Sequence, residues 1–180
     1  MDRLIATPPA RVLSAMTVVA CVAAVLIRNA FAEAEATMQA RGAGIVTYEL
    51  AFTGQKAYEI LDAWGPEGQA AARHSLLVDF AFMPAYALAF AGITLVIARA
   101  QKGALQTAGL RLTLAPIIAA VLDVIENVML LSLLGLKDIP PIPPMIAGIA
   151  ASLKFALLLA VLLYWPVAGA IWSMRKLRVR

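Results

Sequence analysis

An apolar stretch of the sequence, residues 112–136, carries three side chains suited to holding or exchanging protons. Asp123, Glu126 and Asn127 stand at positions i, i+3 and i+4, so on a helix they share one face. Because a carboxylate exposed to lipid costs several kcal/mol, this face should point toward protein. The spacing predicts a polar site in which Asp123 and Glu126 are the catalytic residues, holding or transferring protons.

Polar residues in the other apolar stretches are candidates for the same site. We expect Lys154 to pair with Glu126 or Asp123, because it lies too deep in its stretch to reach the membrane surface easily. Arg28 lies near a helix end, and snorkelling to the surface is the alternative interpretation for it. The predicted ligand-binding residues are Asn127, Lys154, Asp79, Tyr86, Arg28 and Asn29.

The charges of these candidates do not balance. Arg28 and Lys154 supply two cations, whereas Asp79, Asp123 and Glu126 supply three carboxylates. A buried carboxylate without a cation tends to take up a proton or to accept hydrogen bonds from neighbours. The excess acid therefore indicates a proton-holding group; a satisfied polar network that fixes the order of the helices is the alternative.

The composition predicts that the elements positioning these residues are transmembrane helices. The chain has 180 residues, of which 62% are hydrophobic and 14% are charged, against ~45–50% and ~25% in soluble domains. Four apolar stretches, 12–32, 76–98, 112–136 and 146–173, are each near the ~20 residues that cross a bilayer. We expect an all-α membrane protein, a four-transmembrane-helix bundle that forms a single domain over residues 1–180.

The basic residues predict the orientation of the chain. Nine of them lie in the N-terminal tail, the 98–111 connection (predicted to be a short loop) and the C-terminus: Arg3, Arg11, Arg99, Lys102, Arg111, Arg175, Lys176, Arg178 and Arg180. The opposite side has four, Arg41, Lys56, Arg73 and Lys137. The positive-inside rule then places both termini in the cytoplasm and the protein in the inner membrane. The first stretch also resembles a secretory signal ending at 30–32, but we expect an uncleaved helix because Arg28 interrupts the cleavage region.

Residues 33–75 are predicted to form a structured cap on the outer side. The alternation in residues 45–52 predicts a short extended segment. A helix should follow, with Thr53 as N-cap and Gly65-Pro66 as its end. Its predicted apolar face comprises Ala57, Ile60, Leu61 and Trp64. The cap is interpreted either as a cover for the bundle or as a lid or docking surface.

Several kinds of chemistry are excluded by composition. The single cysteine forms no intrachain disulfide, and one histidine cannot make a multi-histidine metal site within one chain. No phosphate-binding or dinucleotide-binding glycine motif is present. We therefore predict no cofactor, no metal and no nucleic-acid partner.

Three functions remain open at this stage. The preferred one is binding of a membrane lipid or another amphiphile, with proton-transfer chemistry on it, and whether the protein is an enzyme stays open. The second is a structural or assembly subunit with a membrane protein partner, or a homo-oligomer. The third is a proton-coupled transporter, which is less favoured because the inner half of the predicted spans has almost no ionisable residues.

Overall fold

The computed structural model describes residues 6–177, with side chains described for residues 6–175. Every element within that range is helical. The seven α-helices are α1 (Ala10–Arg28), α2 (Ala32–Gln39), α3 (Ile45–Glu49), α4 (Gly54–Arg99), α5 (Ala104–Leu112), α6 (Ala115–Leu133) and α7 (Ile142–Leu177), and a 3-10 turn (Asn29–Phe31) joins α1 to α2. Arg3, Arg178, Arg180 and the side chain of Lys176, all used in the orientation argument, lie outside the described part.

Four helical segments within residues 6–177 are long and apolar enough to cross a membrane. They are Ala10–Gln39, Gly54–Arg99, Ala104–Leu133 and Ile142–Arg175. A helix suits hydrocarbon because it bonds its backbone N–H and C=O groups internally. Within the described residues, the prediction of an all-helical chain with four helices long and apolar enough to span a membrane is confirmed. The third segment ends at Leu133, three residues before the predicted end at 136.

The extended segment predicted for residues 45–52 is wrong, because Ile45–Glu49 forms the helix α3. Strict alternation would put Tyr48 and Glu49 on opposite faces, yet both are buried. The Tyr48 ring packs edge-on against Trp64 with ring centroids 5.1 Å apart, and its hydroxyl donates to the carbonyl of Leu130 over 3.0 Å. These tertiary contacts override the weak local preference of a five-residue stretch for extended backbone.

The helix predicted after Thr53 is present. The Lys56 N–H donates to the Thr53 hydroxyl over 3.2 Å, which confirms the N-cap. All four residues of the predicted apolar face are buried: Ala57, Ile60, Leu61 and Trp64. Gly65 interrupts α4 as expected, with φ 59° and ψ −170°, a conformation that favours glycine. Beyond it α4 continues to Arg99.

The loop predicted for residues 98–111 is wrong over its second half. Gly103 has φ 65°, and α5 begins directly after it. The helix forms because its apolar residues find partners: Leu110 packs with Leu13, Leu95 and Ala98. Only the short connection between α4 and α5 remains non-helical.

The chain divides into two compact units. The first unit comprises the described residues 6–24, 84–119 and 155–177. The second unit comprises Val25–Met83 and Ala120–Lys154. The core of the second unit is built on large buried side chains, chiefly Met38, Tyr48, Leu61, Trp64, Leu130 and Leu133.

Candidate functional site

Ionisable side chains from four helices meet inside the second unit. We call this group the carboxyl cluster; it consists of Glu49 from α3, Asp79 from α4, Asp123, Glu126 and Asn127 from α6, and Lys154 from α7. The structure buries the whole polar face of α6: the exposed fractions are 3% for Asp123, 0% for Glu126 and 1% for Asn127. The i, i+3, i+4 spacing thus directs all three side chains into the protein.

Lys154 is the cation of the cluster. Its Nζ lies 2.8 Å from Oδ1 of Asp123 and 2.8 Å from Oε2 of Glu126. Oε2 of Glu49 is 3.7 Å away. The sequence predicts a partner for Lys154 in either Asp123 or Glu126, and the structure gives it both. An ammonium has three N–H donors and no acceptor, so it can serve several carboxyl groups at once.

Asn127 connects the cluster to α4. Its Nδ2 donates to Oδ2 of Asp79 over 2.9 Å and to the carbonyl of Leu76 over 3.1 Å. Its Oδ1 is buried and accepts no hydrogen bond from the residues that the structure describes. Asp79 is half-buried, which makes it the most exposed carboxyl group of the cluster.

Glu49 is the member that the sequence analysis missed. It is the single charged residue in the stretch 44–52, and the alternating pattern grouped it with Thr47 and Ala51, opposite the more apolar face of the predicted extended segment. A second acid, Glu35, helps to position the helix that carries Glu49. Its Oε2 accepts a hydrogen bond from the backbone N–H of Ile45, the first residue of α3, over 3.2 Å. The signal in the sequence that could have identified Glu49 was a single acid next to a large aromatic residue in an otherwise apolar stretch.

The cluster has more acid than the sequence count indicated. Four carboxyl groups, Glu49, Asp79, Asp123 and Glu126, accompany one ammonium, Lys154. Burial raises the pKa of the Glu49 carboxyl above its ordinary value, with Lys154 opposing the rise and Asp123 adding to it. One ammonium among four carboxyl groups leaves the cluster with an excess of acid.

The carboxyl groups of Glu49 and Glu126 both approach Lys154. Their Oε2 atoms lie 3.7 Å and 2.8 Å from its Nζ. Oε2 of Glu49 and Oε1 of Glu126 are buried without a hydrogen-bond donor among the described residues. A carboxyl group that takes up a proton becomes a hydrogen-bond donor and can serve such an acceptor. The arrangement is thus chemically suited to holding a proton.

Two predicted site residues do not join the cluster. Arg28 and Asn29 are exposed, and no hydrogen bond or ion pair connects either to the cluster within the described part of the chain. Both lie where α1 ends and the 3-10 turn begins. A third predicted residue, Tyr86, is buried and belongs to the first unit, where its ring packs edge-on against Phe90 at 6.3 Å between centroids.

The cluster does not have the arrangement of a metal centre. Among the described residues no group of three or more His, Cys, Asp and Glu side chains could hold a metal ion. Lys154 occupies the position between the carboxyl groups that a cation would take.

Comparisons with protein-family models, with curated proteins and with solved structures find no match for this chain. The functional argument therefore depends on the residues of the cluster and their geometry.

Proposed function

We propose that the protein binds the polar head of a membrane lipid or another amphiphile at the carboxyl cluster and exchanges a proton with it. The observation that carries the proposal is the grouping of three buried carboxyl groups around a single ammonium, with a fourth, Asp79, joined to them through Asn127. Leaving several carboxylates ionised and unpaired away from water is costly. Protonation of part of the cluster lowers that cost. A ligand that donates hydrogen bonds or a proton to the carboxylates would lower it in the same way.

The roles of the residues follow from their accessibility. Asp79, half-buried and bonded to Asn127, is the group that a ligand head would meet first. Asp123 and Glu126 would hold or transfer the proton, with Lys154 fixing their position. An amphiphile suits this site because three of the four helices that supply it, α4, α6 and α7, belong to segments long and apolar enough to cross a membrane, so its acyl part would remain in lipid.

We further propose that the protein lies in the inner membrane with both termini in the cytoplasm. The support is the distribution of basic residues along the sequence, nine against four. Residues 33–75 would then lie on the outer side. Attachment of a membrane-impermeant thiol reagent to a cysteine introduced at Asp62, which is exposed, tests this orientation in intact cells.

A structural subunit of a membrane complex is the second candidate. The first membrane segment favours it, because only 17% of its most apolar stretch is buried, against 33–44% for the other three. A large exposed span offers surface to another membrane protein as well as to lipid. A stoichiometric protein that co-purifies in mild detergent would support this candidate.

Removal of single carboxyl groups tests the proposed function. The wild type, Glu126→Gln and Asp123→Asn would be purified with native lipid, and the bound lipids and other small molecules would be identified by mass spectrometry. Infrared difference spectroscopy would follow the carbonyl band of protonated carboxyl groups during a pH titration. We expect a buried, titrating band in the wild type and its loss or shift in Glu126→Gln, together with a lower yield of a bound amphiphile.

Asp62→Asn is the matched control, since Asp62 is an exposed carboxyl on α4 that makes no ion pair within the described residues. It should leave both readouts unchanged. Unchanged spectra and unchanged bound molecules in both cluster variants would refute the proposal.

A further inference from the structure

A surface cleft in the second unit lies apart from the carboxyl cluster and has a different chemical character. Its volume is about 450 Å³, and the residues that matter for its chemistry are Gln69, Arg73, His74, Leu77, Leu134 and Gly135. None of them belongs to the carboxyl cluster. The cleft is therefore a second place where a ligand could be held.

The Gln69 side chain gives the cleft a defined wall. Its Oε1 accepts from the backbone N–H of Gly135 over 2.9 Å. Its Nε2 donates to the carbonyl of Leu61 over 2.9 Å. Gly135 has φ 85°, which allows the chain to turn just after α6 ends. The carboxamide thus fixes the turn after α6 against α4.

Arg73 and His74 leave their donors available in this cleft. Both side chains are exposed, and neither makes a hydrogen bond or an ion pair within the described residues. Two other cations of the same unit are paired with an acid: Arg41 with Glu67, and Lys56 with Glu59 at 3.2 Å. An arginine guanidinium presents paired N–H donors that match phosphate oxygens.

The remaining wall of the cleft is apolar and follows the membrane segment. Leu77 stands one turn after Arg73 on α4 and is 55% exposed. The apolar stretch of α4 begins at about residue 76, so Arg73 and His74 lie at its polar end. Along α4, the N–H donors of Arg73 and His74 are therefore followed by the exposed Leu77. A phospholipid has the same sequence of parts, a polar head group followed by an acyl chain.

We infer that this cleft binds an anionic phospholipid, with the phosphate on Arg73 and His74 and the first acyl segment along Leu77 and Leu134. The occupant is a lipid rather than a soluble phosphate because two leucine side chains, Leu77 and Leu134, line the cleft at the edge of membrane segments. This inference goes beyond the proposed function and uses none of its residues.

Native mass spectrometry on the full chain would test the inference. The protein would be mixed with equal amounts of phosphatidylglycerol and phosphatidylcholine, and the bound lipids would be counted. We expect the wild type to retain phosphatidylglycerol in preference to phosphatidylcholine. The double variant Arg73→Gln/His74→Gln should weaken phosphatidylglycerol binding by roughly fivefold or more, the effect of removing about one cation beside an anionic head group.

Lys56→Gln is the matched control, because it removes an exposed cation from the same helix outside the cleft. It should bind phosphatidylglycerol as the wild type does. If the double variant does not purify as a monodisperse folded protein, His74→Gln alone replaces it, with a smaller loss expected.

Three results would overturn the inference. One is equal binding of the two lipids by the wild type. Another is unchanged phosphatidylglycerol binding in the folded variant. The third is displacement of the lipid by inorganic phosphate at matched concentration, which would show that the site recognises a soluble anion.

Discussion

The two compact units differ in the kind of polar group that they bury. All of the buried charged residues in the described part of the chain, Glu49, Asp123, Glu126 and Lys154, lie in the second unit. The first unit buries only uncharged polar side chains: Thr17, Thr94, Gln101 and Thr113. The two units are made from similar apolar helices, so hydrophobicity does not explain this difference.

The units also satisfy their buried polar groups differently. In the first unit the hydroxyls of Thr17 and Thr113 donate to carbonyls one turn back, over 2.8 Å and 3.0 Å. Such bonds stay within one helix and need no partner element. Gln101 differs, since its side-chain amide donates to the carbonyl of Ala168 in α7 over 3.3 Å, but this bond involves no charge. In the second unit Lys154 needs carboxyl groups from α3 and α6. Under the proposed function the second unit would carry the chemistry, while the polar groups of the first are compatible with packing alone.

Among the variants that test this difference between the units, Lys154→Met is expected to lower the free energy of unfolding most. It leaves the buried carboxyl groups without their cation, and breaking a buried ion pair from one side costs about 3–5 kcal/mol. We expect a correspondingly lower free energy of unfolding, measured by denaturant titration in detergent at neutral pH. Adding Glu126→Gln to Lys154→Met should recover part of the loss, since it removes one of the stranded carboxylates.

Lys56→Met is the control for this variant, because Lys56 is exposed and its pair with Glu59 lies at the surface. It should change stability very little. If Lys154→Met unfolds at the same denaturant concentration as the wild type, the ammonium is not the counter-charge of the cluster.

The pH dependence of stability should be steeper in the wild type than in Glu49→Gln. The pKa of Glu49 is raised by burial in the folded state. Above the ordinary glutamate pKa the unfolded chain therefore loses a proton that the folded protein keeps. Stability is full below the ordinary pKa and falls as pH rises toward the folded pKa, by at most about 1.4 kcal/mol per pH unit for one group.

Thermal unfolding over a pH series would measure this difference. Glu59→Gln, an exposed acid on α4, serves as the control and should keep the wild-type profile. Asp123, Glu126 and Lys154 remain in Glu49→Gln, so a reduced slope reports the contribution of Glu49. Superimposable profiles for the wild type and Glu49→Gln would show that this carboxyl does not hold a proton in the folded state.

Tyr164→Phe in the first unit should lower the free energy of unfolding least. The Tyr164 hydroxyl donates to the carbonyl of Leu105 over 3.2 Å. Its loss removes one neutral hydrogen bond, for which we expect about 0.5–1.5 kcal/mol, with no change in pH dependence. The same denaturant titration applies. A loss as large as that of Lys154→Met would remove the distinction between the two units.

The sequence predicted the α6 part of the cluster but not its full membership. Asp123, Glu126 and Asn127 were found because helical spacing alone puts them on one face. Arg28 and Asn29 were included on depth alone, and they are exposed. Glu49 was missed because its alternating surroundings predicted extended backbone, whereas contacts of Tyr48 with Trp64 and Leu130 hold α3 as a helix.

By itself the sequence determined the helical class, the four apolar segments and the polar face of α6, because hydropathy and helical periodicity are properties of neighbouring residues. The tertiary structure alone decided that Glu49 joins Lys154 and that Asn127 bonds Asp79, 48 positions away in sequence. These are contacts between separate helices. Their formation depends on packing, which no pattern within a single helix specifies.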